Sequence, residues 1–237
     1  MRFPLLISIC VLFVGSSVLA SEPTTVVVSR WDWAAVKFDE EAQKDLRNGD
    51  FKAARQNIDE ALRRGPDYWP AYYDRARLFA VEGKWDSALR DCNEVLHRYS
   101  GFVPAALLRA RVNANLGNYS AARAEFDHVI TIQPRPQFYA MAFNDRAWFR
   151  ATCPNDSFRN PHGAVDDAKK ACAITQWKEA DPMDTLATAC AATGDFDSAV
   201  RYEQQAMQAR DAAEMRKTLQ QHLAMFQQHK TLSGTVR

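Results

Sequence analysis

The sequence predicts an all-α chain, a solenoid of about five helix-turn-helix repeats closed by a capping helix. Two observations carry this. Four segments share one phrase, Gly49-Asp-Phe-Lys-Ala-Ala54, Gly83-Lys-Trp-Asp-Ser-Ala88, Gly117-Asn-Tyr-Ser-Ala-Ala122 and Gly194-Asp-Phe-Asp-Ser-Ala199, and the first three glycines are 34 residues apart. Small residues also recur at fixed offsets from each glycine: Ala42, Ala76, Ala110 and Ala187 lie seven before, and Ala54, Ala88, Ala122 and Ala199 five after. A fixed period of this length marks a stack of supersecondary units, each burying a face that it cannot bury alone.

Each part of the phrase has a physical reason. Glycine lets the chain leave a helix in a left-handed conformation. The aromatic two residues later is expected to plug the gap between paired helices, and the alanines let those helices approach closely. Pro66 and Pro134 mark the ends of second helices. A further unit lies between Gly117 and Gly194, with Ala147 on its first helix and Ala164, Ala168 and Ala171 on its second. Ala147 and Ala164 are 17 apart where Ala76 and Ala88 are 12 apart, so about five residues are inserted around Cys153–Pro161, a loop by its Pro, Asn and Ser content. Met215, Leu219, Leu223 and Phe226 fall on one face of a last, amphipathic helix.

Before the array, one positive charge, Arg2, precedes an apolar run that ends in Gly-Ser-Ser-Val-Leu-Ala20. Val18 and Ala20 are the small residues that a signal peptidase reads, and cleavage after Ala20 is expected; retention as an anchor is the alternative. Cys10 follows a bulky residue inside the run, which argues against lipidation. The organisation is then residues 1–20 signal, 21–34 linker, 35–210 repeat array, 211–229 capping helix and 230–237 tail. The residues after Ala20 hold 29 basic and 29 acidic side chains with no basic block, so nucleic acid is not an expected partner.

Residues 35–210 resemble the tetratricopeptide repeat family. The stretch Ala147-Trp-Phe-Arg-Ala-Thr-Cys-Pro154, with Lys170-Ala-Cys172, Trp177 and Asp184-Thr-Leu-Ala187, is similar to a variant found in exported bacterial proteins. The first unit departs from the pattern, with Glu41 and Asp45 where apolar residues are expected. The resemblance implies a right-handed α-solenoid that holds a protein or peptide partner on the concave face made by its first helices. The matching positions include Tyr73, Arg77, Leu107, Arg111, Asn144 and Trp148, an aromatic and guanidinium mixture of the kind enriched in binding hot spots. Tyr73 and Leu107 alternatively pack between repeats.

Three other arginines, Arg75, Arg109 and Arg146, each have an acid in the second helix of their own unit: Asp91, Glu125 and Asp167. Co-occurrence within a unit favours ion pairs that join the two helices over a binding stripe. No GxSxG, P-loop, GxGxxG or HExxH occurs, and the five histidines have no metal-pair spacing, so neither a reaction, a cofactor nor a metal is expected. The expected function is that of an exported scaffold, periplasmic or extracellular, binding an extended protein segment, with no stable membrane insertion after signal cleavage. The alternative is an exported enzyme, or its helical accessory domain, with a site assembled by folding. Export permits disulfides, and Cys153 and Cys172 are either bonded or two buried thiols; Cys92 and Cys190 fall on packing positions.

Overall fold

The computed structural model describes residues 32–233, and among them every regular element is helical. The expected signal segment, Cys10 and most of the linker lie outside the described residues. Five antiparallel pairs follow one another: α1 (Trp33–Asn48) with α2 (Phe51–Arg64), α3 (Trp69–Val81) with α4 (Trp85–Arg98), α5 (Val103–Asn115) with α6 (Tyr119–Thr131), α7 (Pro136–Thr152) with α8 (Pro161–Ile174), and α9 (Ala180–Ala192) with α10 (Phe196–Ala206). A single helix, α11 (Ala212–Gln227), closes the array. No helix among the described residues is long and apolar enough to cross a membrane.

The phrase glycines end the first helices of four units. Gly49, Gly83, Gly117 and Gly194 have φ of 75°, 70°, 80° and 86°, a region that strains any side chain. The residue after each one donates its amide to a carbonyl five back, as Lys84 does to Phe79 at 2.8 Å and Asn118 to Asn113 at 2.8 Å. This closes the helix end and aims the chain back along it. Asp50 and Asp195 then cap α2 and α10, accepting from the amides of Ala53 and Ser198.

The alanines of the pattern are the contact points between helices. Ala42, Ala76, Ala110, Ala147 and Ala187 on the first helices, and Ala54, Ala88, Ala122, Ala164 and Ala199 on the second, have no exposed surface. The phrase aromatics differ from expectation. Trp85, Tyr119 and Phe196 are half-buried and Phe51 is exposed, so they cover the core from its edge rather than plug it. First helices touch in series, α1 to α3, α5, α7 and α9, whereas successive second helices are held apart. The first helices therefore form the inner wall of the solenoid.

Unit one folds as a helix pair despite Glu41 and Asp45. Asp32 caps α1 by accepting from the amide of Ala34, Asp45 accepts from Asn57 Nδ2 at 2.8 Å, and Glu41 faces solvent beside Lys44. In unit four no glycine is needed, because Cys153 leaves α7 in an extended conformation and the chain makes a 3-10 turn, Asp156–Phe158. That inserted loop is anchored. The Asn160 amide donates to Arg150 O at 2.8 Å, and the Phe158 ring packs on Tyr119 and Phe149 with the Arg123 guanidinium over it. On α11, Leu219 and Phe226 are fully buried while Met215 and Leu223 are half-buried.

Candidate functional site

The arginine–acid pairs form within units. Arg75 reaches Asp91 with Nε at 2.7 Å and Nη2 at 2.9 Å; Arg109 reaches Glu125 at 2.9 and 2.6 Å; Arg146 reaches Asp167 at 2.8 and 2.8 Å. Two-point contacts of this kind fix orientation as well as distance. A second link joins successive units. Arg109 Nη1 also donates to Asn93 Oδ1 at 2.9 Å, and Arg146 Nη1 to Asp127 Oδ1 at 2.6 Å, each on the second helix of the preceding unit. Asp59, Asn93 and Asp127 recur every 34 residues, which is the signal that shows it. A cavity of 520 Å³ beside Leu89, Asn113 and His128 contains the Arg109–Glu125 pair, and its polar groups are largely bonded to one another.

The inner wall is narrower than expected. Leu107 is fully buried in the core with Phe126 and Val129. Asn144 is buried and donates to Asp181 Oδ2 on α9 at 2.6 Å. Trp148 is buried against Met183 and Leu219, with its ring 6.1 Å from that of His222 on α11. These three residues do not line an open groove: Leu107 belongs to the core that α5 shares with α6 and α7, and the packing of α9 on α7, with His222 of α11 beside Trp148, takes up the faces of Asn144 and Trp148. Tyr73 is half-buried, edge-on to Phe102, and the Arg77 guanidinium lies 5.8 Å from its ring centre.

Arg77 and Arg111, one repeat apart, keep side-chain exposures of 45% and 37%. Each leans on a less exposed carboxylate that its sequence spacing did not reveal. Arg77 Nη1 is 2.9 Å from Asp74 Oδ1, and Arg111 Nε is 3.6 Å from Asp145 Oδ2. Met141 is 40% exposed one turn before Asp145. Tyr73, Arg77 and Arg111 are therefore the accessible part of the predicted surface, and Met141, which was not among the predicted residues, is exposed on the next first helix.

Behind Arg77 lies a buried carboxyl pair. Asp39 on α1 accepts from Tyr68 Oη and Gln43 Nε2, both at 3.1 Å, and faces Asp74 on α3. Burial, then the Asp74 charge, raises Asp39 to about 7; burial also raises Asp74, against the pull of Arg77. The folded chain thus holds the Asp39 proton more tightly than the unfolded chain, so this group's stabilising contribution is complete below about pH 4 and is lost as pH rises to about 7. Asp39→Asn, which mimics the protonated form, is expected to match the wild type near pH 4. By pH 8 it should exceed the wild type by on the order of 2–4 kcal/mol. Urea denaturation of both proteins across this range checks it; an equal difference at all pH values would contradict it.

All four described cysteines are free and buried. Of the two alternatives for Cys153 and Cys172, the structure has the two buried thiols, and helix geometry gives the reason. The Asn160–Arg150 bond holds the start of α8 beside the end of α7, where Cys153 lies. Cys172 is eleven residues further along α8, about 16 Å at 1.5 Å per residue, and packs in a different part of the core from Cys153. Burial pushes Cys92 and Cys172 up to about 12 and Cys190 to about 11, and raises Cys153, so these are inert thiols.

Residues 40–101 match a family model described as tetratricopeptide repeat. No curated protein matches in sequence. Among solved structures, a thermophilic tetratricopeptide-repeat protein of Thermus thermophilus is 18% identical, with a TM-score of 0.69 over 81% of this chain and 100% of that one. A tetratricopeptide repeat protein from Parabacteroides merdae is 16% identical, with a TM-score of 0.57 over 84% and 74%. The Cut9–Hcn1 hetero-tetramer of the APC/C is 16% identical, with a TM-score of 0.66 over 84% of this chain and 37% of that one. At these identities the likeness is one of fold.

Proposed function

We propose that this chain, whose fold is that of tetratricopeptide-repeat proteins, is an exported interaction scaffold that holds an extended segment of a partner protein against its inner wall. The observation that carries this reading is the accessible row of Tyr73, Arg77, Arg111 and Met141 on consecutive first helices. Curved arrays present such walls as extended binding surfaces, and guanidinium beside aromatic and thioether side chains suits a segment with acidic and apolar groups. One structural neighbour, Cut9–Hcn1, is a hetero-tetramer, an instance of this fold within a protein assembly. Placement in the periplasm or outside the cell rests on residues 1–20. The reading assigns no reaction to the chain.

Charge reversal at Arg77 and Arg111 together tests it. Capture of the partner from an envelope extract is expected to fall at least tenfold while circular dichroism stays helical. Because Asp74 behind Arg77 is buried, Arg111→Glu alone, beside the less buried Asp145, is the control whose melting temperature should stay within a few degrees of the wild type while capture still falls. Equal capture by variant and wild type would retire the inner-wall reading. Trp148 is unsuitable for this test because truncating it would report on the core.

A further inference from the structure

Three ligating side chains from three different helices meet at the C-terminal end of the array. One carboxylate oxygen of Asp184 (α9), one of Glu203 (α10) and a ring nitrogen of His222 (α11) all lie within 4.8 Å of one another. Asp184 Oδ1 and His222 Nδ1 are 2.6 Å apart. Asp184 and Glu203 have no exposed surface, and the His222 side chain is 13% exposed.

Repeat register makes Glu203 exceptional. It stands four residues after Ala199, where the other units carry Ile58, Cys92, Phe126 and Ala168, all buried in the core. A position that packing fills with an apolar residue in four units holds a carboxyl in the fifth. Two buried carboxyls need protons or positive charge to balance them. One imidazole supplies at most a single charge, whereas a divalent ion supplies both.

We propose that Asp184, Glu203 and His222 form a site for a divalent transition-metal ion, Zn²⁺ by the chemistry of its donors. Imidazole nitrogen favours zinc over magnesium or calcium, and two carboxylates with one neutral imidazole make a three-ligand set whose two negative charges a divalent ion balances, with one coordination position left over. Bond lengths of about 2.0–2.1 Å place tetrahedral ligand atoms about 3.3 Å apart, so His222 and Asp184 open slightly from their hydrogen bond. Thr188 shares a face of α9 with Asp184, one turn on, and its buried hydroxyl has no hydrogen-bond partner among the described residues. It is available to a metal-bound water. The ion would staple α11 to the last repeat.

The test uses the full chain, purified without a metal-affinity tag and stripped with chelator. Zn²⁺ titration is expected to give one site per chain, with a melting temperature about 5–10 °C higher at a 100-fold excess over Kd. Co²⁺ at the same site should quench Trp148 fluorescence, since that ring is 6.1 Å from His222. Glu203→Met, which restores the apolar residue of the other units, and His222→Ala should each weaken Zn²⁺ at least tenfold while circular dichroism stays helical. Absence of a Zn²⁺-dependent shift in the wild type would overturn the proposal, leaving a hydrogen-bonded clasp. Unchanged affinity in both variants would also overturn it, placing the ion on the exposed His97, His128, His162 or His229.

Discussion

Replacing Arg146 by methionine is expected to destabilise the protein by about 3 kcal/mol, since removing one partner strands a buried charge. Arg146 gives two bonds to Asp167, whose side chain is 2% exposed, and a third to Asp127 in the preceding unit. Arg150 Nη1 also reaches Asp167, at 2.7 Å, and holds the expected loss at the lower end of the range for a broken buried pair. The double variant Arg146→Met/Asp167→Leu should recover at least 1 kcal/mol relative to the single one, because it removes the stranded carboxylate. Urea denaturation of the two singles and the double measures that coupling. Simple additivity would mean that the pair does not join the helices energetically.

Leu107→Ala should cost about 3–4 kcal/mol and lower the melting temperature by roughly 8–12 °C. The side chain has no exposed surface and packs with Phe126 and Val129 between α5 and α6. Its loss leaves a cavity that close-packed neighbours only partly fill. Arg111→Ala, one turn along the same helix, should change stability by less than about 1 kcal/mol. This pair of substitutions separates the core from the inner wall by calorimetry. An unmoved melting temperature in Leu107→Ala, with weakened partner capture, would return Leu107 to the binding surface.

What the sequence by itself determined follows from short-range regularity. The 34-residue period, the glycines with positive φ, the buried alanines and the arginine–acid pairs each depend on residues within one or two repeats, so a chain aligned on itself reveals them. Tertiary structure alone decided which inner-wall residues face solvent. Leu107, Asn144 and Trp148 occupy the same first-helix face as Tyr73, Arg77 and Arg111, yet packing from the next unit and from α11 buries the former set, and no residue type records that. The separation of Cys153 from Cys172 was likewise decided by which end of α8 the inserted loop joins. Asp184, Glu203 and His222 span 38 residues with no repeated spacing, and only the folding of α11 onto α9 and α10 makes them neighbours. Periodicity is written along the chain because every repeat solves the same packing problem; the fifth pair packs against the single helix α11 instead of a regular helix pair, so its solution differs and is legible only once the helices are in place.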